Sequence, residues 1–597
     1  MGGILERLQP LLTNYIQKFG QDDLFAKGLS PAAFQPMMMD YWQNVINKPQ
    51  KLIDLNLEYA QNMALLWQDT TRKFLGDEEC ASSASAPLQN SAPKKPEITD
   101  KRFRDPVWQD SFVFDFIKQS YLLTSQWMQS AVRNTEGLST RDRAKLDFFT
   151  RLFVDALSPT NFAATNPEVL RETLKSNGKN LLRGLENLTT DLQRGDGELE
   201  ISKTRYEAFE VGKNLATTPG SVIFENELMQ LIHYAPTTAQ VYQTPLLILP
   251  PWINKYYILD LRPDNSFVKW AVDQGHTVFM ISWVNPDRAL GHETFENYMT
   301  KGLIAALDAI ERHCGATSAN VIGYCIGGTL LTASLAYLQA EEKKSRRKEP
   351  RIASATFLTT LIDFHQAGDL SIFVDDQFMK LIDEKMDRVG YLEGSDLRQT
   401  FSLLRANDLI WSFVVNNYMM GKEPFPFDLL YWNDDSTNMP AAMHRFYLRN
   451  MYRDNKLARK GGIKLCGTPI DVTQINVPSY FLSTKDDHIA PWVSTYEGMM
   501  LPGGKKRFVL AASGHVAGVI NPPKANKYHY WTNDHLDDRE HADEWLAKAE
   551  QHGGSWWNDW AAWVKKYAGK KITARDPKKG KLKEIEPAPG RYVMKRA

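Results

Sequence analysis

Apolar and polar positions change rhythm three times along this chain. Over residues 1–75, apolar side chains such as Phe34, Met37, Met38, Tyr41, Trp42, Val45 and Ile46 recur at near-helical spacing, which predicts an amphipathic helical region. From 76 to 100 the pattern stops. The stretch CASSASAPLQNSAPKKPEITD cannot bury enough apolar surface to offset its ordering entropy, so it reads as a flexible linker. Residues 101–197 return to aromatic-rich helix, as in FVFDFIKQSYLL from Phe112 and KLDFFTRLFV from Lys145, expected to pack on the domain that follows.

From 198 to 597 short apolar runs alternate with helical stretches, which predicts a mostly parallel sheet covered by helices on both faces. The strand candidates begin at Leu246, Thr277, Asn320, Ala353, Ser479 and Arg507. Between two of them, at about 364–476, lies a long aromatic insertion with Trp411, Phe425, Phe427, Tyr431 and Trp432. Its length suits a cap over a site better than a loop. Val321 to Leu338 contains no charge and is long enough to raise a membrane flag. Its cluster of Gly323, Gly327 and Gly328 instead reads as strand, tight turn and buried helix, so no transmembrane segment is expected.

Composition narrows the function less than the pattern does. The 597 residues are 43% hydrophobic and 24% charged, with 71 basic and 71 acidic side chains, so no overall charge points to nucleic acid. The segment 565–597 is the exception, with a net charge of +9 from its Lys and Arg residues. A solvated tail is the simpler reading of such a run, and contact with the phosphates of a ligand or with a surface the sharper one. Cys80, Cys314, Cys325 and Cys466 show no paired spacing, and the start MGGILERLQPLL lacks a secretory pattern, so free thiols in a reducing cytoplasm are expected. The histidines show no metal-ligand spacing, and no metal is expected.

The chemistry concentrates in Gly323-Tyr-Cys-Ile-Gly327, the form of a nucleophile elbow with cysteine as nucleophile. Glycines on both sides permit the sharp strand-to-helix turn, and the helix N-terminus favours thiolate. The acid and the histidine of such a site follow later strands in order. Asp487 in TKDDHIAPW and His515 in ASGHVAG stand at those places, giving a Cys-His-Asp arrangement. Asp486 is an alternative acid by spacing alone. His488 is a rival base and otherwise a candidate for the substrate channel. The oxyanion donors are expected to be the backbone N–H groups of Ile326, after the nucleophile, and Ile253, in the PPWINK turn.

With these motifs in place, from about residue 100 onward the chain resembles the class I polyhydroxyalkanoate synthases. Besides GYCIGGT, the resemblance is carried by PPWINKYYILDL from Pro250, GHTVFMISW from Gly275, KDDHIAPW from Lys485 and SGHVAGVINPP from Ser513. It implies an α/β-hydrolase fold and a triad of Cys325, Asp487 and His515. It also implies that Trp432 lies near the substrate channel or a dimer contact. The expected activity is polymerisation of short (R)-3-hydroxyacyl-CoA, such as 3-hydroxybutyryl-CoA, through an acyl-cysteine. No cofactor is expected, coenzyme A being part of the substrate and a product. A homodimer in the cytoplasm, associated with polymer granules, is implied as well. A thioesterase or lipase-like hydrolase shares this fold and triad, and a noncatalytic granule scaffold is the alternative from another class.

Overall fold

The alternation seen from residue 198 onward becomes one eleven-stranded sheet in the computed structural model, which describes residues 10–11, 31–75, 100–195, 198–344, 349–536 and 541–597. Its centre is parallel. The strands Lys506–Ala511, Ser479–Thr484, Ile352–Leu358, Ala319–Tyr324, Leu246–Leu249 and Val278–Trp283 lie side by side in that spatial order. Four of them, Leu246–Leu249, Ala319–Tyr324, Val278–Trp283 and Ser479–Thr484, are buried at every position. Burial on both faces is why they read as unbroken apolar runs without alternation.

Antiparallel strands extend both edges. Met229–Tyr234, Gly220–Glu225 and Glu586–Pro587 continue one side, His529–Thr532 and Glu550–Gly553 the other. None of these was among the sequence candidates, because their polar and aromatic residues lack a continuous apolar run. The uncharged stretch after Val321 is accounted for by a strand and the buried helix Ile326–Glu342. Among the described residues no helix is long and apolar enough to cross a membrane.

The basic segment 565–597 is not a solvated tail, which corrects the simpler expectation. Lys571–Thr573 pairs with Gln240–Tyr242, and Glu586–Pro587 pairs with Gly220–Glu225. Pro577, Pro589 and Val593 are buried while Lys571, Lys578, Lys579, Lys581 and Lys583 face outward. A few apolar anchors thus hold the segment while its charges stay hydrated, an arrangement that counting charges does not reveal.

The chain divides into two compact units. Tyr206–Gln399 and Pro426–Ala597 hold the sheet. Its core includes Trp556, Trp557, Trp560 and Trp563 packed with Phe267 and Trp270. Met1–Arg205 and Thr400–Phe425 form the other unit, helical throughout its described core elements, with Tyr41, Val132, Leu138 and Leu146 at one centre. The insertion at 364–476, expected to be a single cap, is therefore split: Trp411 and Phe425 belong to the helical unit, Phe427, Tyr431 and Trp432 to the sheet unit. Asn180 and Asn187 fasten the inserted piece by donating to the carbonyls of Met419 and Asn417 at 2.8 and 2.9 Å. Gly184 admits it, since a Cβ there would collide with the Tyr418 carbonyl. The expected linker at 76–100, apart from Asp100, and Cys80 lie outside the described residues.

Candidate active site

Cys325 sits at the carboxyl end of the strand Ala319–Tyr324 and immediately before the helix Ile326–Glu342, with φ 53° and ψ −123°. A non-glycine residue in that conformation stores strain and persists only when its surroundings enforce it. Here they do. The Cys325 N–H donates to the Leu358 carbonyl at 2.9 Å, and the Cys325 carbonyl accepts from Gly328 and Thr329 at 2.9 and 3.2 Å. A side chain at Gly323 would meet the backbone of Gly328, one at Gly327 the carbonyls of Leu249 and Pro250, and one at Gly328 the Thr360 side chain. The glycines are thus required by close approach of the strand, the helix and the loop after Leu249.

Ile326 is the first residue of the helix, so its N–H has no intrahelical acceptor and projects beside the cysteine. The other described cysteines differ. Cys314 ends a helix, donates its thiol to the Ile310 carbonyl at 3.3 Å and is held above the usual thiol range by burial. Cys466 is exposed, and partial burial together with Glu296 raises it too.

Two later loops converge on Cys325. Asp487 is buried after the strand Ser479–Thr484, and its Oδ1 accepts from the N–H groups of Ile489 and Ala490, each at 2.9 Å. Its Oδ2 accepts from the Thr484 hydroxyl at 3.2 Å and is 2.7 Å from His515 Nδ1. Asp486 is exposed instead, and its N–H closes the loop by donating to the Ser513 carbonyl at 2.9 Å. Position thus separates the two neighbouring carboxylates that spacing left open. His515 is buried, and Cys325 lies within hydrogen-bonding reach of it. Burial opposes the imidazolium, but the charges and hydrogen bonds of Asp487 and Cys325 outweigh it and raise the imidazole to about 10. Tyr324, inside the elbow motif, stacks on the His515 ring at 5.7 Å and donates its hydroxyl to the His515 carbonyl at 3.0 Å.

The remaining candidates fall as follows. Ile253 lies in the loop after Leu249, its carbonyl accepting from Thr437 N–H at 3.0 Å. His488 occupies the turn beside Asp487, where its carbonyl accepts from Asp369 N–H at 3.2 Å. Trp432 is buried in the core of the sheet unit, and its indole N–H donates to the Lys255 carbonyl at 2.7 Å. It is a packing residue. Sequence reasoning passed over Tyr447 and Tyr452, whose rings meet edge to face at 5.4 Å. Burial pushes both phenols up, and both lie near enough to Cys325 to interact with it electrostatically. No local signal marks them, because their proximity to the cysteine arises only when a distant segment folds over it. Among the described residues no group of three His, Cys, Asp or Glu side chains could hold a metal ion.

The sequence has counterparts among known proteins. Residues 99–271 match the N-terminal region of poly-beta-hydroxybutyrate polymerase (PhaC), and residues 264–522 match the alpha/beta hydrolase fold. A poly(3-hydroxyalkanoate) polymerase of Methylorubrum extorquens is 46% identical over 92% of this chain and 88% of its own length. The chain belongs to the poly(3-hydroxyalkanoate) polymerase family. The polymerase subunit PhaC of Rhizobium meliloti (strain 1021) is 45% identical over 94% of this chain and 87% of its own length. That of Cupriavidus necator is 42% identical over 92% of this chain and 89% of its own. The present polymerase is accordingly an acyltransferase enzyme with an α/β-hydrolase fold, as its resemblance implied.

Proposed function

We propose that this polymerase joins (R)-3-hydroxyacyl groups from coenzyme A thioesters, short ones such as 3-hydroxybutyryl-CoA, through an acyl-Cys325 intermediate. The observation that carries the reading is the strained Cys325 within hydrogen-bonding reach of a His515 whose other ring nitrogen is bound to Asp487. The Cys325 thiolate attacks the thioester carbonyl, and the resulting oxyanion is met by the N–H groups of Ile326 and Ile253. Coenzyme A leaves as its thiol with the proton held on His515 Nε2, and the carbonyl re-forms as an acyl-cysteine. The hydroxyl of the growing chain then gives its proton to His515 and attacks that carbonyl. An ester bond forms, and Cys325 is released as thiolate. Because a thioester retains the activation of the substrate, transfer to an alcohol stays downhill, while closing of the segments around the cysteine keeps water from competing.

The reaction requires no further cofactor. Its partners are the acyl-CoA, the polyester chain and its granule surface, and a second copy of the chain in a cytoplasmic homodimer. Supplying 3-hydroxybutyryl-CoA should give thiol release together with turbidity from polyester. Thiol release with free 3-hydroxybutyrate and no polymer would identify a thioesterase, and absence of thiol release would remove the enzymatic reading.

A further inference from the structure

The loop after the strand Leu246–Leu249, which carries Ile253, is fastened at several points to the segment 432–437. The Thr437 hydroxyl donates to the Trp252 carbonyl, and the Thr437 N–H donates to the Ile253 carbonyl at 3.0 Å. The Trp432 indole donates to the Lys255 carbonyl at 2.7 Å, and Asn254 forms an antiparallel bridge with Ser436. In a trans peptide a carbonyl and the following N–H point in opposite directions. With the carbonyls of Trp252 and Ile253 turned toward Thr437, the N–H groups of Ile253 and Asn254 are turned away from it.

A buried ion pair locks this arrangement. Lys255 Nζ lies 3.0 Å from Asp435 Oδ1, with the two side chains 3% and 10% exposed. Lys255 also donates to the Val593 carbonyl at 2.7 Å, and the Tyr257 hydroxyl donates to Asp435 Oδ2 at 2.9 Å. Such a pair adds little net stability over an apolar packing, but losing one partner leaves the other charge stranded, so it enforces one geometry. The loop it grips touches the nucleophile elbow, where Gly327 lies flat against the carbonyls of Leu249 and Pro250.

We infer that Thr437, Asp435 and Lys255 are positioning residues that aim the Ile253 N–H at the acyl oxyanion, with the C-terminal segment at Val593 as part of the clamp. The inference rests on the reading of Ile253 as an oxyanion donor. Misplacing such a donor by about 1 Å lowers the rate on the order of 100-fold. The test uses the full-length enzyme and compares acylation, read as the burst of coenzyme A from 3-hydroxybutyryl-CoA, with alkylation of Cys325 by iodoacetamide. Alkylation develops no oxyanion and reports only on the cysteine and its histidine.

Thr437→Val keeps the shape and loses the hydroxyl. It should slow acylation by roughly 10- to 100-fold, with KM within about threefold and alkylation unchanged. Thr437→Ser, which keeps the hydroxyl, should stay within about threefold of the parent, and Asp435→Asn should behave as Thr437→Val does. Parent-like acylation in Thr437→Val and Asp435→Asn, or an equal fall in acylation and alkylation, would overturn the clamp. Ile253→Pro, which lacks the N–H, tests the underlying reading separately. Undiminished acylation there removes Ile253 as donor and the clamp's role with it. Loss there beside intact Thr437→Val and Asp435→Asn leaves the donor in place and rejects the clamp alone.

Discussion

The nucleophile elbow and the outer face of the helix Gln50–Leu75 are both rich in apolar residues, yet they treat them in opposite ways. Around the elbow every neighbour of Cys325 is enclosed: Tyr324 and Ile326 are each 1% exposed. The helix turns Ile53, Leu57, Trp67 and Phe74 outward, with Trp67 65% and Phe74 68% exposed. The difference lies in what the backbone requires. At the elbow a left-handed cysteine survives only because strand, helix and loop press on it from three sides, so there is no room for change. The helix satisfies its own backbone, and although Trp67 and Phe74 still touch Phe116 and Phe112, exposed side chains such as Ile53 and Leu57 are free to vary as far as folding is concerned. Tolerance to substitution should therefore divide the two regions sharply.

The largest effect belongs to the elbow. Cys325→Ala should lower coenzyme A release by at least about 1000-fold, whereas Cys314→Ala and Cys466→Ala should keep most of it. Comparable losses in all three would dissolve the distinction between an elbow cysteine and an ordinary one.

Next comes Asp487→Asn, whose effect should depend on pH. His515 is raised to about 10 in the folded enzyme from an ordinary value near 6.5. The folded state therefore binds the extra proton, and its stabilisation is complete below about pH 6.5 and is lost as pH rises through about 10. Removing the carboxylate should cost on the order of 3 kcal/mol at pH 6. In thermal melts the gap between parent and variant should close between pH 6.5 and 10, and a gap that widened over that range would contradict the assigned ion pair.

Gly327→Ala is expected to cost about 1–3 kcal/mol in denaturant unfolding, since its methyl group meets backbone carbonyls that cannot turn aside. Tyr324→Phe, which removes only the hydrogen bond to the His515 carbonyl, should cost about 1 kcal/mol and lower turnover several-fold. At the other extreme stands Leu57→Gln, at a position 56% exposed in the helix Gln50–Leu75. Its unfolding free energy should change by less than about 0.5 kcal/mol. A larger loss would show that this face is less free than the elbow comparison holds.

What the linear chain determined was everything that depends on neighbours in sequence. Unbroken apolar runs marked the six central strands because both faces of a parallel sheet are covered. The glycines around Cys325 marked the elbow because a sharp turn needs them locally. The order of Cys325, Asp487 and His515 followed because each stands just beyond one of those strands. Tertiary structure decided what depends on distant segments meeting. It separated Asp487 from Asp486 by burying one and exposing the other. It turned Trp432 from a channel candidate into a core residue, brought Tyr447 and Tyr452 to the cysteine, and divided the long insertion between two units. It also drew the basic C-terminal segment onto the sheet, where Val593 meets Lys255. Hydropathy and charge report a residue's average preference, whereas these placements depend on which hydrogen-bond partners and apolar anchors the rest of the chain brings within reach.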